Sequence, residues 1–264
     1  DASVRVKTAR LDRLLDLVGE LVVSHSMVAE DPALDHRSDL MRKVSRSEKI
    51  LRELQDLTTS MRMVPMKPAF RKATRVVRDV SRRAGKPIHL STDGEETELD
   101  RSMVDVIADP LVHMVRNAID HGIESPEERV AAGKPREGRI RISAGQLGGS
   151  VVIEISDDGR GLDAEKILAK AKSRGIVDSE RGMSDSDIFE LIFAPGFSTA
   201  EQVTDISGRG VGMDVVRRSV EALRGRIEIQ SVPGEGSTFS IHLPLTLAIT
   251  DGMLLSAGDE RYII

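Results

Sequence analysis

Glycine is concentrated at three places in the second half of this chain: D-D-G-R-G at Asp157–Gly161, G-R-G-V-G-M-D at Gly208–Asp214 and G-E-G-S-T at Gly234–Thr238. Upstream lies H-M-V-R-N-A-I-D-H-G, from His113 to Gly122. Each glycine cluster falls where a strand or helix begins or ends. Glycine there lets a backbone come close to a ligand and leaves main-chain N–H groups uncovered. Any one cluster alone is weak; four motifs in this order point to a nucleoside-triphosphate site.

The elements between the clusters alternate. Leu11, Leu14, Val18, Leu21, His25 and Val28 recur by three and four, and so do Leu40, Val44, Ser47, Leu51, Leu54, Thr58 and Met61. That a/d pattern predicts two helices over residues 5–64, with Asp31-Pro32 stopping the first. A lone hairpin has little core, so its apolar stripe needs a partner. Two copies would form a dimeric four-helix bundle; the alternative is docking against the same chain. Met63–Pro68 then reads as a hinge. Helices are predicted over 69–84, 105–121, 164–172, 184–193 and 213–223, with Gly85 and Gly122 as C-terminal stops. Strands are predicted over 86–90, 139–144, 151–156, 226–231 and 238–244. Helices interleaved with paired strands make an α/β two-layer sandwich. The expected domains are 1–64, 65–245 and the truncated start of another at 246–264, without internal repeats.

Composition narrows the function. Only 2% of residues are aromatic and none is Trp, so stacking on single-stranded nucleic acid is disfavoured, and a net charge of -5 gives no attraction to DNA or anionic membranes. With no Cys there is no disulfide and no thiolate ligand, which fits a cytoplasmic protein. No stretch approaches the ~18 apolar residues of a membrane span, and no secretory leader is visible. The start at Asp1 and the stop in mid-pattern suggest a piece of a longer protein.

The chemistry-bearing residues follow. Asp157, just past a predicted strand, can accept from the exocyclic amine of adenine, with Gly159 and Gly161 allowing close approach; an acidic turn is the bland reading of that motif alone. Gly208, Gly210 and Gly212 precede a helix starting near Met213, whose backbone N–H groups suit phosphate. Their G-x-G-x-G spacing, with loop rather than strand before it, departs from a dinucleotide fingerprint, and no Walker lysine follows. His113, Asn117 and His121 share one helix face, with Arg116 and Asp120 beside it. Asn117 offers a carbonyl oxygen for Mg²⁺ already carrying phosphate oxygens. A transition-metal site or a plain polar face are the alternatives there.

These motifs resemble the ATP-binding fold shared by gyrase, Hsp90, histidine kinases and MutL, and in detail the CheA family of chemotaxis histidine kinases. His113–Gly122 looks like that family's N box, and Asp157–Gly161 like its first glycine box. F-A-P-G-F-S-T at Phe193–Thr199 is similar to the stretch before the second, Gly208–Asp214, and G-E-G-S-T completes the set. L-D-R-L-L-D-L-V-G-E-L at Leu11–Leu21 resembles the dimerisation hairpin, and Leu243–Ile249 the passage into an adaptor-like regulatory domain.

The resemblance implies an ATP-dependent protein-histidine kinase of a two-component system. Asn117 would coordinate Mg²⁺, and His113, Arg116 and His121 would surround the phosphates. Asp157 would bind adenine beside Gly159 and Gly161, Lys166 would lie near the nucleotide, and Thr238 would close the pocket. Gly208, Gly210 and Gly212 would border a mobile lid between Asp178 and Thr204. Related ATPases carry a water-activating Glu where this chain has His113, which favours phosphoryl transfer over hydrolysis. The implied acceptor is a histidine on a separate phosphotransfer domain, because His25 falls at a seam position of the hairpin. A homodimer, a CheW-like adaptor, chemoreceptors and a downstream response regulator are the implied partners. The competing readings are an ATPase of the gyrase sort and a nucleotide-binding dimer scaffold.

Overall fold

The structure is a computed structural model. It describes residues 6–29, 38–177, 182–197 and 212–245, together with the backbone of 254–257 and 260–263. The chain divides into two compact units, residues 1–64 and 65–264.

In the first unit α1 (Thr8–Ala29) and α2 (Ser38–Ser60) form a helical hairpin. They run antiparallel: Asp12 on α1 meets Arg62 just past the end of α2 at 3.6 Å, and His25 Nδ1 lies 3.4 Å from Ser47 Oγ near the start of α2. Val18 and Thr58 are buried between them. Much of the heptad stripe is not covered: Leu21, Val28 and Met61 are about half exposed or more, Leu14 and Leu54 lie open as well, and so do Leu17 and Leu57 beside the stripe. An apolar hollow of about 410 Å³ opens between Leu21, His25 and Val28 of α1 and Ser47, Ile50 and Leu51 of α2.

In the second unit a five-stranded sheet carries a helical layer. The strands are β1 (Ile88–Asp93), β2 (Gly138–Leu147), β3 (Ser150–Asp157), β4 (Arg226–Val232) and β5 (Gly236–Pro244). Their order is β1-β2-β3-β5-β4, with β1 parallel to β2 and the other pairs antiparallel. Period-two alternation gives the sheet one apolar face. Ile140, Ile142, Val151, Ile153, Ile155, Ile241 and Leu243 are buried, whereas Arg141, Glu154 and Glu228 are exposed.

Three helices, α3 (Lys67–Ala84), α4 (Arg101–Asn117) and a later one, α8 (Met213–Ala222), supply the covering layer. Phe70, Ala73, Val77 and Val80 of α3 pack with Met103, Ile107, Leu111 and Met114 of α4. The smaller helices are α5 (Pro126–Ala131), α6 (Ala164–Ser173) and α7 (Asp185–Glu190), the last followed by a 3-10 turn at Leu191–Phe193. Residues 254–257 and 260–263 pair as an antiparallel hairpin.

Two expectations change. The helix predicted from 105 begins at Arg101, because Asp100 caps it by accepting from the Ser102 N–H at 2.8 Å. It does not end on a left-handed glycine either. The last turn, Ala118–Gly122, widens into a π turn closed by Ile123 N–H donating to Ala118 O at 2.7 Å, and Gly122 does not adopt a positive φ. Gly122 leaves little room for a side chain instead: a Cβ there would lie 3.2 Å from the Asp157 carboxylate, tighter than ordinary contact.

Candidate nucleotide site

The site is built where the end of α4, the start of α8 and the loop after β3 meet. On α4, His113, Arg116 and Asn117 are half-buried, while Asp120 and His121 on the π turn are exposed. The Asn117 side-chain amide donates to the Met213 sulfur at 3.0 Å, tying α4 to the first residue of α8. Its carbonyl oxygen remains the atom suited to a hard cation. Gly212 caps α8 in an extended conformation; its carbonyl accepts from the Val215 N–H at 3.1 Å, and the Met213 and Asp214 N–H groups have no side-chain cap. Burial pushes the His113 imidazole below its ordinary pKa, helped by Arg116 and His121 and opposed by Asp214. His113 is therefore a neutral hydrogen-bonding group at neutral pH. Asp214 is itself paired with Arg218.

At the other end, Asp157 closes β3 opposite Ser237 of β5. Its carboxylate accepts from the Gly159 N–H at 2.9 Å and also from the Ser237 backbone. Desolvation nevertheless raises its pKa from 3.8 to about 6, the negative charge of Asp158 adding to the effect. Thr238 is one step away in the same register, its hydroxyl 2.9 Å from Ser156 Oγ. The structure thus brings Asp157, Ser156 and Thr238 together.

The glycines have a second reason to exist. A Cβ on Gly159 would sit 2.3 Å from Gly122 O, one on Gly161 2.4 Å from Val232 O, and one on Gly236 1.9 Å from Asp157 O. They serve first to let backbones touch each other. The Arg160 N–H donates to Gly122 O at 2.9 Å, joining the glycine loop to the π turn, and the Gly234 N–H donates to Arg160 O at 2.8 Å. The third glycine cluster therefore buttresses the first.

Lys166 stands apart. It lies in the first turn of α6 with an 85% exposed side chain, paired with Asp163 at 2.9 Å. Gly208 and Gly210 lie outside the described residues, as do residues 178–181 and 198–204 of the expected lid.

Sequence reading missed Arg129, on α5. Its side chain is only 1% exposed and donates to Glu124 at 3.1 Å, to Asp158 Oδ2 at 2.8 Å and to the Pro135 carbonyl at 2.7 Å. Asp158 in turn accepts from the Arg139 N–H at 2.8 Å. The second Asp of D-D-G is thus structural, and the first is left for a ligand. The one sequence signal for α5 was its capping box, Ser125-Pro126-Glu127-Glu128, present in the structure.

The residues fit magnesium nucleotide. Arg116 Nε, on the residue next to Asn117, is buried without a hydrogen-bond partner, as an anion-binding group would be. No cluster of three or more His, Cys, Asp or Glu among the described residues could hold a metal unaided, so a transition-metal site at His113 and His121 has no third ligand of that kind.

Comparison with known proteins decides the family. The family model for histidine kinase-, DNA gyrase B- and HSP90-like ATPases matches residues 107–247. This chain belongs to that family. A second model, the homodimeric domain of signal-transducing histidine kinases, matches residues 1–68. The family member from Klebsiella aerogenes called chemotaxis protein CheA is 48% identical over 99% of this chain. The CheA proteins of Rhizobium meliloti and Bacillus subtilis are 44% and 45% identical, each again over 99% of the chain. The chain spans 35–40% of the length of these relatives.

Proposed function

We propose that this chain is the dimerising, ATP-binding core of a CheA-type protein-histidine kinase, moving the γ-phosphoryl of Mg-ATP to a histidine on a separate phosphotransfer domain. One observation carries the reading. The π turn at the end of α4 is hydrogen-bonded to the Asp157 loop through Arg160 and Gly122, while one turn earlier Asn117 is bonded to the start of α8. Base-recognising and phosphate-binding groups are thereby held on one rigid frame.

In this reading Asp157 accepts from the adenine amine, with Gly159, Gly161 and Thr238 bounding the base. Asn117 holds Mg²⁺, which would neutralise phosphate charge when bound. Arg116, His113 and His121 hydrogen-bond phosphate oxygens, Asp120 and Lys166 lie at the margin, and Gly208, Gly210 and Gly212 would border the lid. Catalysis is then positioning and charge stabilisation. His113 stands where related ATPases carry a water-activating glutamate, and the nearby Asp214 carboxylate is engaged by Arg218, so that glutamate has no counterpart at this position. That favours transfer over hydrolysis.

Residues 1–64 serve as the dimerisation hairpin, 65–245 as the catalytic domain and 246–264 as the start of a regulatory domain. Through the longer protein, a CheW-like adaptor, chemoreceptors and a response regulator complete a cytoplasmic chemotaxis pathway. No helix among the described residues is long and apolar enough to cross a membrane. Calorimetry tests the site: ATP should bind with Mg²⁺, and Asn117→Ala should abolish the Mg²⁺ dependence. Unchanged Mg²⁺-dependent binding in that variant would refute the assignment.

A further inference from the structure

A tetrapeptide occurs twice in the second unit: Ala84-Gly85-Lys86-Pro87 and Ala132-Gly133-Lys134-Pro135. Each copy ends a helix, α3 or α5, and leads into one of the two parallel strands β1 and β2. The local geometry repeats as well. Gly85 and Gly133 have φ of 65° and 75°. The Gly85 and Gly133 N–H groups donate three residues back, to Arg82 O and Val130 O. The Lys86 and Lys134 N–H groups donate five residues back, to Ser81 O at 3.1 Å and Arg129 O at 2.9 Å. This is the Schellman closure, which only a left-handed residue permits without strain.

The two lysine side chains then do the same thing to different loops. Lys86 Nζ donates to the carbonyls of Ile119 and Ile123, both at 2.7 Å, and of Asp120 at 3.3 Å. Those oxygens belong to the π turn and its exit, where a helix end leaves carbonyls unsatisfied and favours a cation. Lys134 Nζ donates to the carbonyls of Asp158 at 2.9 Å and Gly159 at 2.6 Å, and to Glu124 Oε1 at 2.8 Å. An ammonium has three donors, and in each lysine all three are engaged. Neither is left for a phosphate. The segments they grip are the two that meet at the Arg160 N–H to Gly122 O bond.

We propose that Lys86 and Lys134 are paired positioning residues that set the gap between the π turn and the Asp157 loop, and so fix the pocket's hold on adenine. The inference rests on the ATP-site reading above. Desolvation lowers the pKa of Lys86, against the pull of the nearby Asp120.

The test uses the full chain with Lys86→Met, Lys134→Met and the double variant. It measures affinity for Mg-ATP and for Mg-tripolyphosphate, and exchange of the Arg160 amide in the nucleotide-free protein. Each single variant should weaken ATP roughly tenfold and tripolyphosphate less than twofold, with Arg160 exchanging roughly tenfold faster. The double variant should lose less than the product of the singles, because both lysines hold one contact. Equal weakening of both ligands would mean general destabilisation and overturn the proposal, as would unchanged ATP affinity and Arg160 exchange. If the Met variants do not fold, Lys86→Arg and Lys134→Arg keep the charge while displacing the donors, and the same readouts apply. A wild-type chain that binds no ATP would refute the ATP site, while Arg160 exchange would still judge the clamp.

Discussion

Asp157 is asked to do two conflicting things. In the proposed role it accepts from adenine as the ionised carboxylate, yet its surroundings raise its pKa from 3.8 to about 6. Because the folded value exceeds the unfolded one, the ionised group opposes folding at neutral pH, by on the order of 2–3 kcal/mol, and the penalty fades as pH falls from about 6 toward 4. Asp157→Asn should therefore lose ATP while stabilising the nucleotide-free protein at pH 7.5 by about 1–2 kcal/mol, as read by urea unfolding. A destabilised variant would contradict this. In the wild type, ATP affinity should decline as pH drops through about 6, which calorimetry across pH 5–7.5 would reveal. At the same scale the sequence made Asp157, Asn117 and Thr238 legible through their motifs. It did not separate the roles of Asp157 and Asp158, because the groups that anchor Asp158, the buried Arg129 and the Arg139 N–H, are distant in sequence.

At the scale of elements, strands and long helices were readable because their apolar periodicity is strong: four strands of the five-stranded sheet cover their expected ranges and end within three residues of the expected bounds, while the first, expected at 86–90, is displaced to Ile88–Asp93. The π turn was not. A helix and a widened turn share one hydrophobic pattern, and what selects the turn is the close approach of Gly122 to Asp157 and Gly159. Helix α5 was missed because six residues cannot show a period. The missed helix matters energetically. Arg129→Met would leave Glu124 without one of its two cations and Asp158 without its guanidinium partner, and should cost about 3–5 kcal/mol in chemical unfolding. Gly159→Ala should cost about 1–3 kcal/mol and loosen the Arg160 contact, since its methyl would overlap Gly122 O.

For the whole molecule, the hairpin presents Leu17, Leu21, Leu57 and Met61 to solvent in a single chain. Heptad spacing made Leu21 and Met61 visible in the sequence, Leu17 and Leu57 fell outside the repeat, and the match to a homodimeric domain agrees with a second copy covering this face. Leu21→Glu combined with Leu57→Glu should shift sedimentation from dimer to monomer while leaving Mg-ATP affinity within about twofold, because the nucleotide residues lie in the other compact unit. The central claim is phosphoryl transfer. It is tested most directly by mixing the chain with labelled Mg-ATP and a separately produced histidine phosphotransfer domain. Label should appear on that domain's histidine and vanish with Asn117→Ala. Bound ATP with no label on the domain, or label on His25 of this chain instead, would contradict a kinase core that acts on a detached substrate.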